Sequence, residues 1–154
     1  TAHGKQSRVR ATYEAAKAPA SYEAVELRLN PVDIATSSPI KAHACSIAWN
    51  EFRDCWTMIT SEIGGSSVLG EIWYLEALDP SGPWTHAVKI VTHDKYSLYN
   101  PLQHPELTPA GSPYIYFEGT YTKTFSGTET GTPWYDYNQV MYRLDLRDPR
   151  LQLQ

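Results

Sequence analysis

Trp56-Thr57-Met58-Ile59-Thr60-Ser61 and, beyond a Gly64-Gly65 turn, Glu71-Ile72-Trp73-Tyr74-Leu75-Glu76-Ala77-Leu78-Asp79-Pro80 are the runs that decide the fold. Each is short, rich in aromatic and β-branched residues and bounded by turn residues, as strands are. Both recur. Tyr114-Ile115-Tyr116-Phe117-Glu118-Gly119 repeats the aromatic and apolar placement of the first run, and Gln139-Val140-Met141-Tyr142-Arg143-Leu144-Asp145-Leu146 that of the second, with Asp148-Pro149 one residue late. Trp56 to Tyr74 spans 18 positions and Tyr114 to Tyr142 spans 28, so the second copy carries a longer loop, which holds Phe125 to Tyr137.

An offset of 58 residues at the first anchor and 68 at the second suits a four-stranded sheet with generous loops. The expectation is an all-β chain of antiparallel four-stranded blades, part of a β-propeller. The alternative is a β-sandwich, whose buried strands also resemble one another. Residues 1–41 then read as the end of a preceding blade or a linking strand, 42–92 as the first blade-like repeat, 93–150 as the second and 151–154 as a tail. Two blades cannot close a ring of about four to eight. The remaining blades are expected from a longer chain or from self-association.

Outward from the repeat, Tyr22 to Leu29 alternates polar and apolar residues with period two and ends at Asn30-Pro31, read as a turn. Ala44 to Trp49 and Thr85 to Val91 read as further strands. Only Thr12 to Lys17 looks helical, and Pro19 stops it. With no helical crossover between strands, the sheets are expected to be antiparallel.

The 154 residues, 42% hydrophobic, suffice for one core. Eleven Pro, nine Gly, eleven Tyr and five Trp favour many short strands over long helices. Lys and Arg number 13 against 17 Asp and Glu, net charge −4 with no basic run, so the phosphate-directed electrostatics of nucleic-acid binding are missing. No stretch approaches the roughly 20 consecutive apolar residues of a spanning helix. Neither nucleic acid nor membrane is an expected partner. The chain opens at Thr1, without Met and without an apolar secretory segment, which points to processing or to a start inside a longer protein. Cys45 and Cys55 flank a hairpin turn, Asn50 to Asp54; they read either as a disulfide across two strands or as two small half-buried residues.

Ser81-Gly82-Pro83-Trp84, after a strand that ends in an acidic turn, resembles the tail of blades in five-bladed β-propeller glycosidases of the arabinanase and glycoside hydrolase family 43 type. Tyr99-Asn100-Pro101, leading through a turn into Tyr114 to Gly119, resembles the blade opening of that family. The stretch Tyr116 to Tyr121 with Tyr135 to Leu146 is also similar to uncharacterised bacterial secreted proteins of this propeller class. The resemblance spans about residues 42–146 and implies a carbohydrate ligand, secreted or periplasmic placement, and a His near the propeller axis, His93 or His104, helping to hold a central Ca ion. Asn100 stands where the catalytic members carry Asp, and an amide cannot act as a general base.

Glycoside hydrolysis needs two carboxyl groups flanking the bond, one protonated and one ionised. Glu118 is the candidate general acid, because it ends an apolar run and precedes Gly119, where a backbone or ligand can approach closely. Glu71, entering a buried strand, and Glu62, just before the Gly64-Gly65 turn, are the candidate partners. Solvated strand-end acids, or Glu118 satisfied by Arg143, are the plain alternatives. Tyr99, Asn100, His104, Trp134, Asp136 and Tyr137 are the candidate substrate-binding residues, since aromatic faces stack on sugar rings and Tyr hydroxyls bond to sugar hydroxyls. His93 is the candidate metal ligand, although no HxH or HExxH spacing supports a zinc site and a loop-packing His is the commoner role. A hydrolase, a non-catalytic carbohydrate-binding piece, and a self-assembling structural subunit with exposed strand edges are therefore the three readings.

Overall fold

A computed structural model of the chain describes residues 27–66, 68–93, 95–132 and 136–153. The expected helix at Thr12 to Lys17, most of the expected strand from Tyr22, and Trp134 lie outside the described residues.

Within them the chain is all-β. Its strands are β1 (Leu29–Asp33), β2 (Ala42–Asn50), β3 (Cys55–Glu62), β4 (Ile72–Ala77), β5 (Trp84–Val91), β6 (Ser97–Gln103), β7 (Tyr114–Thr122) and β8 (Asn138–Asp145). They form a larger sheet ordered β1-β5-β4-β3-β2 and a smaller one ordered β6-β7-β8.

This corrects the expectation of four-stranded antiparallel blades. The sheets have five and three strands and close into neither a barrel nor a propeller ring, and β1 pairs with β5 in parallel. That parallel pair needs no helical crossover, because the chain passes through β2, β3 and β4 before β5 lies down beside β1.

The alternation within each strand decides how the sheets meet. Ile59, Ile72, Tyr74 and Val88 of the larger sheet share one buried cluster with Leu98, Ile115 and Phe117 of the smaller. Ile59 stands opposite Tyr74 in one hairpin and Phe117 opposite Tyr142 in the other, the residues that the two sequence copies align. The Phe117 and Tyr142 rings stack with centroids 5.3 Å apart. Truncating a side chain as large and buried as Phe117 costs about 3–5 kcal/mol. Leu98 of β6 fills the space that Gly119 leaves: a Cβ on Gly119 would sit 2.8 Å from Leu98 Cγ. The close approach expected at Gly119 is thus made by the core.

The larger sheet is buried on its second face too. Met58, Trp73, Leu75, Trp84 and Ala87 pack there beneath Ile40, with Leu27 and Leu29 against them. The smaller sheet has no such second cluster among the described residues, so its outward face stays open.

Gln103 pins the two sheets together. Its Nε2 donates to Ser46 O at 2.7 Å and Thr57 O at 3.1 Å, its Oε1 accepts from Thr57 Oγ1 at 3.0 Å, and its backbone N–H donates to Ser46 Oγ at 2.9 Å. A buried amide satisfied on both its donor and acceptor sides locks β6 against β2 and β3.

Both Asn-Pro pairs, Asn30-Pro31 read as a turn and Asn100-Pro101 read as part of a blade opening, lie inside strands. Asn30-Pro31 is in β1 and Asn100-Pro101 in β6. Pairing register shifts between Leu29 and Val32 and again between Tyr99 and Leu102. Proline cannot donate to a ladder, and a bulge on an edge strand is where a sheet accommodates it. The cysteines do not face each other: Cys55 is opposite Asn50 and Cys45 opposite Thr60, and both thiols are free.

Candidate functional site

The register of the smaller sheet places Tyr99 and Leu102 of β6, Tyr116 and Glu118 of β7, and Met141 and Arg143 of β8 on its outward face. Leu102 and Met141 are 49% and 47% exposed. Apolar side chains left open together on one face mark an interaction surface.

At one end of this face the loop between β7 and β8 folds back. Tyr99 meets Phe125 and Tyr137 edge to face, with centroids 6.1 Å and 6.0 Å away. The Tyr99 hydroxyl donates to the Tyr137 hydroxyl, and this bond pushes the Tyr99 phenol up to about 12. Phe125 and Tyr137 remain 58% and 59% exposed. Asn100, Phe125 and Tyr137 have φ of 53°, 64° and 70°, a left-handed region that is uncommon for any side chain and a true outlier for a bulky one. Strain of this kind persists where surrounding structure imposes it, and it clusters at ligand clamps.

Asp136 holds the loop. Its Oδ1 accepts from the Lys123 N–H and the Thr122 hydroxyl, both at 2.8 Å, and the Lys123 amide, with a further contribution from the Thr122 hydroxyl, draws its carboxyl below the usual range. Tyr99, Asn100, Asp136 and Tyr137 therefore gather at one end of one face, with Asp136 as the anchor of the aromatic platform.

Further along the face Glu118 lies near His104. His104 Nε2 is 3.6 Å from Glu118 Oε1, and its Nδ1 is 2.8 Å from Glu106 Oε1. The Glu106 carboxyl is lowered first by its own backbone N–H and then by His104.

Glu71 and Glu62 are elsewhere. Both belong to the side of the larger sheet that carries Trp73, remote from the smaller sheet, so the larger sheet and the shared core separate them from Glu118. The expected pairing of Glu118 with Glu71 or Glu62 is thereby corrected: strand parity turns the acids to faces that never meet. Glu71 is buried and accepts from the Ser66 N–H at 3.0 Å, the Ser66 hydroxyl, and the Thr92 hydroxyl at 3.1 Å. It clamps the Gly64-Gly65 turn, and a Cβ on Gly65 would lie 2.0 Å from Glu71 Oε2. Glu62 accepts from Trp73 Nε1 at 2.9 Å, and burial raises its carboxyl.

His93 packs in a loop. Its Nε2 lies 2.9 Å from the Tyr142 hydroxyl, its ring leans on Tyr121 at 4.8 Å, and its backbone N–H donates to Gly70 O. Among the described residues no group of three His, Cys, Asp or Glu side chains is placed to hold a metal ion.

A cavity of about 220 Å³ lies where Thr57, Gln103, His104, Pro109 and Ile115 come together. It is smaller than the roughly 300–1,000 Å³ of usual small-molecule sites, which favours the open face over an enclosed pocket.

Sequence reasoning missed Phe125, Leu102, Met141 and Arg143. The one signal for Phe125 was its place in the longer loop of the second copy; Leu102 lay outside every expected strand, Met141 read as an ordinary strand residue and Arg143 only as a possible partner of Glu118, until the register shows which face they share.

The fold and this face define an all-β domain of two packed sheets, the smaller presenting an exposed aromatic and aliphatic surface. Comparison with protein-family models and with curated proteins finds no match.

Proposed function

We propose that the chain binds carbohydrate on the outward face of the three-stranded sheet, without requiring catalysis. The observation that carries this reading is the Tyr99, Phe125 and Tyr137 cluster, two of its three rings held exposed at positive φ. Aromatic faces cover the C–H side of sugar rings while phenol hydroxyls exchange bonds with sugar hydroxyls, so an exposed, preoriented ring set suits an oligosaccharide. Preorientation lowers the ordering cost of binding.

The test is affinity electrophoresis and calorimetry of the chain against plant and bacterial polysaccharides. Saturable binding is expected, weakened about tenfold or more by Phe125→Ala and by Tyr137→Ala with the melting transition retained. Binding to no polysaccharide overturns the reading.

Hydrolysis is the second reading, and the His104 imidazole 3.6 Å from Glu118 favours it, since it sets a second proton-handling group beside the candidate acid. Release of reducing sugar by the wild type, lost in Glu118→Gln with binding retained, supports it. A wild type that binds and releases nothing leaves the binding reading.

A propeller piece is the finer fold reading. Supporting it is the run β2–β5, four antiparallel strands in sequence order. A ligand-competent monomer of 17.4 kDa in light scattering removes this reading; a larger closed particle supports it.

A further inference from the structure

Tyr114 begins β7 at the end of the outward face away from the aromatic cluster, and two guanidinium groups lie against its ring. Arg143 is 4.8 Å and Arg147 5.2 Å from the ring centroid. Arg147 is fully engaged: its Nε reaches Asp145 Oδ1 at 2.9 Å, and a terminal nitrogen reaches Asp145 Oδ2 and the Tyr114 hydroxyl, each at 2.7 Å. Asp145 is held down to about 2, first by the side chain of Arg147 and only last by the charge of Arg143. One carboxylate thus answers two cations, and Arg143, exposed and opposite Tyr116, makes no ion pair with any described residue. The Tyr114 ring holds in place a guanidinium whose forked N–H groups match a carboxylate in two parallel bonds.

Arg143 shares its face with the aromatic cluster. From Gln139, which pairs with Thr120 beside Tyr99, to Arg143 is four residues along β8, about 14 Å at the rise of a strand. A stacked chain of sugar units running along β8 therefore passes from the rings to the unpaired guanidinium.

We infer that the glycan bound here carries carboxylates, as in a uronic-acid polymer, and that Arg143 receives one of them; the inference rests on the carbohydrate-binding reading above. Solvation alone explains a surface Arg, but it does not explain a surplus cation held over an aromatic ring at the far end of a face whose other end is aromatic.

The experiment compares polygalacturonate, its fully methyl-esterified form and dextran by calorimetry at fixed ionic strength. The wild type is expected to bind the free acid about tenfold or more tightly than the ester, and Arg143→Gln to bind both as weakly as the wild type binds the ester. Dextran sulfate controls for unspecific charge: binding it as tightly as polygalacturonate overturns the carboxylate assignment. Equal binding of acid and ester by the wild type, or a preference that survives Arg143→Gln, overturns the inference while the carbohydrate reading stands. Binding to none of the polymers overturns both.

Discussion

The Tyr99 hydroxyl of β6 donates to the Tyr137 hydroxyl of the loop before β8. The contact ties an edge strand to the end of a long loop and holds two rings edge to face on the open side of the smaller sheet. Tyr137 keeps that place at φ 70°, a conformation that costs a non-glycine residue of order 1–3 kcal/mol.

Tyr137→Gly separates the ring from its backbone. Glycine accepts positive φ freely, so the melting temperature is expected to hold or rise. Polysaccharide affinity is expected to fall about tenfold, about 1.4 kcal/mol. Differential scanning calorimetry and isothermal titration on one preparation check both. A variant that is destabilised and binds normally would reverse the assignment of Tyr137.

Glu71 and Gly65 form a structural unit. Gly65→Ala drives a Cβ into the Glu71 carboxylate, and Glu71→Gln turns into a donor one of the two oxygens that between them accept from the Ser66 N–H and from the Ser66 and Thr92 hydroxyls. Each is expected to cost about 1–3 kcal/mol, read as a drop of several degrees in the thermal melt. Neither is expected to change affinity for polysaccharide at a temperature where the variant is folded.

Glu62 makes stability depend on pH. Its carboxyl is raised above the ordinary 4.5, first by burial, with the Glu71 charge adding to the rise and the Trp73 bond opposing it. Folding favours the protonated form, so this contribution is whole below the ordinary value and is lost as pH rises through the raised one. Glu62→Gln keeps an oxygen for Trp73 Nε1 without the charge. Melts at about pH 4 are expected to coincide with the wild type and at about pH 7 to lie above it. A lower melt at neutral pH would show that the charge itself stabilises.

Cys45 and Cys55 differ in access. Cys45 is exposed, whereas Cys55 is buried with its thiol pushed up to about 12, mainly by burial and then by Glu76. Native alkylation followed by mass spectrometry is expected to add one group, at Cys45, and unfolding to admit a second. Two rapid native modifications would mean that the β2–β3 hairpin opens readily.

The aromatic and apolar runs bounded by turn residues were legible without coordinates, because composition and turn residues are properties of neighbours along the chain: β2, β3, β4, β5, β7 and β8 follow them closely. The repeat was legible for the same reason, and its aligned residues are cross-strand partners in the two hairpins, Ile59 with Tyr74 and Phe117 with Tyr142. β1 and β6 were hidden by Asn30-Pro31 and Asn100-Pro101, since a proline signals a turn locally and only the pairing of distant strands reveals a bulge on an edge. The same limit governed the acids. That Glu118 faces outward on one sheet while Glu62 and Glu71 lie behind the other is a matter of strand parity and of which faces pack, both of which depend on contacts between residues far apart in the chain. The sequence by itself determined an all-β chain with an aromatic loop between β7 and β8; tertiary packing alone decided which side chains stand together on the open face, because burying one face of the smaller sheet is what leaves the other free.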